Sequence, residues 1–126
     1  MSKDEQLFVT SHYNGVLSIF EKSGQNYIVR QNISHPSAFL TGVEISEDKT
    51  EIFVGTGYYE LLIYRDNGTQ FLLAQNISIS IYASFISHIS NKVHVSGFWS
   101  KVLFLEFDGT QYQLMETVIT PAPLIG

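Results

Sequence analysis

The 126 residues fit one compact domain, and at 44% hydrophobic, with seventeen aromatics, they are too apolar for a disordered chain. Seven Lys and Arg against twelve Asp and Glu give a formal net charge of −5, opposite in sign to the basic surface that nucleic-acid binding needs. Cys is absent, which excludes disulfides and thiolate metal sites.

No apolar run nears the roughly 20 residues of a spanning helix. The stretch Met1-Ser2-Lys3-Asp4-Glu5-Gln6 lacks a signal-peptide core, so a cytoplasmic protein with no membrane partner is expected. Taken in chain order, Ser2 to Val9 resembles Ser46 to Val54 but is one residue shorter. An earlier copy of the repeat begins Leu7-Phe8-Val9-Thr10-Ser11-His12-Tyr13 and continues from Val16 to Tyr27, with Ser23-Gly24 as its hairpin signal. A middle unit reads as strands over Phe39–Ser46, Glu51–Thr56, Leu61–Arg65 and Thr69–Asn76. Its corner is Glu47-Asp48-Lys49 and its hairpin signal is Asn67-Gly68. A third unit from Val93 to Tyr112, with Asp108-Gly109 as its hairpin, repeats Ile52 to Phe71 without a gap at an offset of 41 residues. The first copy matches the middle one at an offset of 44, with one extra residue near Asn14-Gly15. Gln31-Asn32-Ile33-Ser34 recurs as Gln75-Asn76-Ile77-Ser78 at the same offset. Nothing sustains a capped helical period.

The pattern predicts eleven strands, three then four then four, in units of about 1–34, 35–78 and 79–120. Residues 121–126 read as the start of a further strand or a tail. Leu61-Leu62-Ile63-Tyr64 is apolar on both faces, whereas an antiparallel sheet with one wet face alternates, so each unit is expected between two neighbours.

Val43-Glu44-Ile45-Ser46-Glu47-Asp48-Lys49, followed by Ile52-Phe53-Val54-Gly55 and Leu62-Ile63-Tyr64, resembles the blade of WD-repeat and YVTN-type β-propellers, without their Gly-His or Trp-Asp dipeptides. The resemblance implies an all-β fold of about three four-stranded antiparallel β-propeller blades. Propellers close with roughly 4–8 blades. The expected architecture is therefore either half of a six-bladed ring assembled from two chains, a homo-oligomer, or part of a longer propeller. An apolar solenoid-like stack or a twisted sandwich of eleven strands is the alternative.

In such propellers the loops between second and third strands gather on one face. Here they are His12-Tyr13-Asn14-Gly15, Gly57-Tyr58-Tyr59-Glu60 and Phe98-Trp99-Ser100-Lys101. Tyr58 and Trp99 are equivalent, and Tyr13 falls within a residue of them. The candidate binding residues are His12, Tyr13, Tyr58, Tyr59 and Trp99. Flat amphipathic rings of this kind suit a protein or peptide partner or a glycan; the alternative is that each ring packs on its own blade edge. His12, His35, His88 and His94 lack zinc-ligand spacing, so neither metal nor cofactor is expected. Neither a Gly-x-Ser-x-Gly elbow nor a phosphate-cradling glycine loop occurs. The sequons at Asn32, Asn67 and Asn76 read as turn chemistry. The resemblance most often implies a non-catalytic protein-interaction scaffold. A carbohydrate-binding propeller is the alternative, and a lactonase-like enzyme the lesser one, because Arg30 and Arg65 are the only arginines available to a polar channel.

Overall fold

The computed structural model describes residues 1–12, 14–35, 39–97 and 101–120. Eleven strands form three antiparallel sheets, with no helix among these residues. The first sheet holds β1 (Leu7–Ser11), β2 (Val16–Ser23) and β3 (Asn26–Ser34). The second holds β4 (Leu40–Ile45), β5 (Glu51–Thr56), β6 (Glu60–Asp66) and β7 (Phe71–Ser78). The third holds β8 (Ala83–Ile89), β9 (Lys92–Gly97), β10 (Lys101–Phe107) and β11 (Tyr112–Ile119). Strands follow one another across each sheet in chain order, as the three-four-four reading requires. β7 begins two residues later than expected because Asn67 holds the turn open: its Oδ1 accepts the Thr69 and Gln70 N–H groups at 3.0 Å.

The middle sheet is apolar on both sides. Phe53, Leu61 and Ile63 face the third sheet and meet Val95, Leu103 and Tyr112. Ile52, Val54 and Leu62 face the first sheet and meet Val9, Leu17 and Ile19. Two cores thus lie between three wedge-shaped blades, and the fold is of the β-propeller type.

Register corrects the sequence alignment of the first blade. Leu7 pairs with Glu21 as Glu51 pairs with Arg65, so the 44-residue offset runs through the whole blade. Gly15 (φ 87°) and Tyr59 (φ 59°) occupy the same left-handed position, as do Glu5 (φ 61°) and Lys49 (φ 62°). The extra residue near Asn14-Gly15 and the shortening of Ser2 to Val9 therefore do not exist. Matching Phe8 to Phe53 by residue type caused the error. Facing is decided by parity, and a one-residue slip turns every side chain to the opposite face. It is Val9 that shares Phe53's place, facing the next blade.

The outer strands carry a second repeated device. Each has a bulge at the same place, after Ile19, Ile63 or Phe104 on the partner strand, which re-aims the neighbouring side chain. Gln31 then reaches into the second blade: its Nε2 donates to the Phe71 carbonyl at 2.9 Å and its Oε1 accepts the Phe71 N–H at 2.8 Å. Gln75 does the same to Tyr112, at 2.6 and 2.8 Å. Each amide satisfies one edge-strand residue of the next blade, so the clamp fixes blade spacing as well as supplying hydrogen bonds.

At the corners, Asp4 Oδ1 accepts the Ser2 hydroxyl and the Gln6 N–H, as Asp48 Oδ1 accepts those of Ser46 and Thr50. The Lys49 ammonium at 2.6 Å, with the Gln6 N–H and Ser2 hydroxyl, brings the Asp4 pKa down to about 2. Burial opposes the shift at Asp48, but its Ser46 and Thr50 hydrogen bonds outweigh burial and lower it. A carboxyl lowered by folding contributes stability above its unfolded pKa and loses it as pH falls through the folded value. The unfolding temperature is therefore expected to start falling below about pH 4 and to continue down to about pH 2. An equally steep acid limb in the Asp4→Asn, Asp48→Asn double variant would remove these corners from the explanation.

Candidate functional site

The β1–β2 and β5–β6 loops share one end of the molecule with the connectors that lead into β4 and β8. Main-chain bonds tie them together: His35 N–H to Gly15 O, Ile79 N–H to Tyr59 O and Gly57 N–H to Phe39 O, each 2.8 Å. Gly57 is glycine for space, since a Cβ there would lie 2.5 Å from the Phe39 ring. Phe39 in turn meets Tyr82 edge-on at 6.0 Å, and Tyr82 stacks on Tyr59 at 4.7 Å and 13°. Hydrogen bonding with Tyr59, then burial, pushes the Tyr82 phenol up. Tyr58 stands beside this cluster with 56% of its surface exposed.

The candidate residues thus divide. Tyr58 is presented to solvent, while Tyr59 is partly committed to packing across the blade junction. His12 is exposed, its Nε2 3.1 Å from the Thr10 hydroxyl. Tyr13 and Trp99 lie outside the described residues. Register puts Asn14 level with Tyr58, so the first blade carries an amide at that loop position. Phe39 and Tyr82 were missed by sequence reasoning. Their 43-residue spacing, shared by Val43 and Ile86 in the paired strands, was the available signal.

Next to Tyr58, Glu60 accepts the Thr56 hydroxyl at 3.0 Å on Oε1 and the Asn76 amide at 2.7 Å on Oε2. His35 Nε2 lies 3.6 Å from Glu60 Oε1, and the buried His35 Nδ1 has no hydrogen-bond partner among the described residues. Lys101, at Glu60's place in the third blade, reaches the Ser80 hydroxyl at 3.3 Å. Asn32 and Asn76 sit inside β3 and β7, hydrogen-bonded to Ser18 and Glu60, so of the three sequons only Asn67 is turn chemistry.

At the opposite end, a relay joins the second and third blades. Arg65 holds Glu51 Oε2 at 3.0 Å, and the Tyr112 hydroxyl donates to Glu51 Oε1 at 2.8 Å. That hydroxyl lies 3.3 Å from His88 Nε2, and the His88 ring stacks on Phe53 at 5.1 Å. Burial first, then the Glu51 hydrogen bond, pushes the Tyr112 phenol well above its ordinary range. His88 Nδ1 is buried without an acceptor among the described residues, which assigns the proton to Nε2, donating to Tyr112. The Arg65–Glu51 ion pair lies within the second blade, and the Tyr112 hydroxyl links it to the third, which suits a fastener between blades. His94 occupies Phe53's place in the third blade and is exposed, edge-on to Phe104 at 4.9 Å.

No family model matches the chain, and no curated protein matches it in sequence. Solved structures do. A 6-phosphogluconolactonase candidate from Bacteroides fragilis superposes with a TM-score of 0.83 at 9% identity, over 98% of this chain and 38% of its own. Sqt1 of Saccharomyces cerevisiae superposes with a TM-score of 0.79 at 8% identity, over 94% of this chain and 34% of its own. Both are propeller-type folds, and at such identities the likeness shows the fold alone. The chain spans little more than a third of the length of either.

Proposed function

We propose that this chain is a non-catalytic interaction module whose loop end, centred on Tyr58, takes a protein or peptide ligand. The observation that carries this is a 56% exposed tyrosine fixed beside a braced aromatic cluster. A rigid, amphipathic ring with few rotamers to freeze is the kind of side chain that concentrates binding energy. Glu60, two residues farther along, supports a binding role over an acid-base one, because both its carboxylate oxygens already accept protein hydrogen bonds. A glycan is the second reading, favoured by the polar Glu60–Asn76 pair next to an exposed ring on which a sugar could stack.

The test pairs a displayed peptide library with a glycan array, each followed by titration of the selected ligand. Tyr58→Ala is expected to weaken binding of a selected peptide by about thirtyfold or more, the loss typical of a hot-spot aromatic. Its unfolding free energy is expected to stay within about 0.5 kcal/mol of wild type, as for other exposed positions. Selected peptides that bind the variant as tightly as wild type would overturn the reading. Selection of glycans alone, with Tyr58-dependent binding, would replace it by the second.

A further inference from the structure

We infer that the outward faces of the first and third blades are the two halves of one interface, filled by a second copy of this chain docked head to tail. The two interfaces inside the chain define what such a contact looks like. On the forward side the positions of Val9, Leu17 and Ile19 become Phe53, Leu61 and Ile63 in the next blade, and all six are buried. In the third blade the same positions are His94, Val102 and Phe104, none of them buried. On the receiving side, Ile52, Tyr64 and Phe71 are buried by the first blade. Their first-blade counterparts are Phe8, Phe20 and Tyr27, a three-ring cluster with centroids 5.8 and 6.2 Å apart and Tyr27 38% exposed. Contiguous apolar sheet faces of this kind mark interaction surfaces.

Two further features select a second copy as the occupant. Glu116 lies opposite Phe104 as Gln75 lies opposite Ile63, so it stands in the clamp position, exposed. Tyr27, on edge strand β3, stands where Phe71 and Tyr112 receive the clamp. A Glu116 carboxylate from one copy would accept the Tyr27 N–H of the other, but unlike Gln it has no hydrogen to give the Tyr27 carbonyl. The second feature is charge. Across the junction between the second and third blades the Arg65 guanidinium sits over the Phe107 ring at 5.5 Å, whereas between the first and second blades the same two positions are Glu21 and Asp66, the latter held by Arg30. At the end faces the same two register positions hold Glu106 and Lys22, which are of opposite sign. Two copies joined this way carry six blades, within the roughly 4–8 with which propellers close, and such a pair makes the same contact twice.

The chain is expected to sediment at micromolar concentration as a pair, at twice its 14.2 kDa, and a persistent 14.2 kDa particle would overturn the inference. Lys22→Cys and Glu106→Cys chains, mixed and treated with a short bis-thiol reagent, should join to each other. Joining of Lys22→Cys chains among themselves would mean two-fold packing of one face and would equally overturn it. Glu106→Lys should weaken the pair about fivefold, and Lys22→Glu in the same chain should restore it. Indifference to the swap, with folding verified by circular dichroism, would count against the docking register. Glu116→Gln should tighten the pair several-fold by completing the clamp, and a weaker pair would remove Glu116 from that role.

Discussion

Replacing Phe53 by Ala is expected to cost about 3–5 kcal/mol of stability, the usual range for a large aromatic removed from a core. Phe53 has no exposed surface and lies at the centre of the second interface, stacked on His88 at 5.1 Å and edge-on to Tyr112 at 5.4 Å. The void cannot close by small adjustments, because His88 and Tyr112 are held by the Glu51–Arg65 relay. Loss of the ring should therefore loosen the relay along with the core. Denaturant titration of the variant measures the loss directly, and a change under about 1 kcal/mol would show that this face is not closely packed.

Gly55→Ala is expected to destabilise by about 1–3 kcal/mol, as overpacking of a well-filled core does. A Cβ at Gly55 would lie 2.6 Å from the Ala83 carbonyl oxygen, 2.7 Å from the Ala83 Cβ and 2.7 Å from the Thr41 hydroxyl. None of these is the far end of a long, pliable side chain. A Cβ at Gly42 on the neighbouring strand would lie 2.6 Å from the same carbonyl. The two glycines let β8 approach the second blade at backbone distance, where Thr41 Oγ1 donates to the Ala83 carbonyl at 2.8 Å. A neutral Gly55→Ala, read by the same titration, would mean that the inner strands stand farther apart than this.

Much of this architecture is legible in the residues. The recurring Val-, Ile- and Phe-rich runs and their Asn-Gly and Asp-Gly turns give the number and order of the strands. The doubly apolar run Leu61 to Tyr64 gives the stacking of blades, since each parity of that run is buried in a different core. The alignment of β1 was off by one because residue type is a weaker guide than facing where Phe8, Val9 and Phe53 are all apolar. The duplicated Gln-Asn-Ile-Ser was visible as a repeat, but not as a clamp. Its meaning depends on the bulge that turns Gln31 and Gln75 toward the next blade, a backbone irregularity that side-chain patterns do not encode. At the loop end, Tyr58 and Tyr59 look alike in sequence, yet only Tyr59 has Tyr82 within stacking distance. That separation arises from the connector into β8, whose path is a tertiary property.

Amide hydrogen exchange at Phe71 and Tyr112 tests most directly whether a single blade-to-blade contact is repeated from one junction to the next. Both lie on edge strands, whose outward N–H groups would exchange quickly if left open to water. The account predicts slow exchange at both, with Gln31→Leu releasing Phe71 alone and Gln75→Leu releasing Tyr112 alone. Rapid exchange of both amides in the unaltered chain, or exchange indifferent to either substitution, would contradict it.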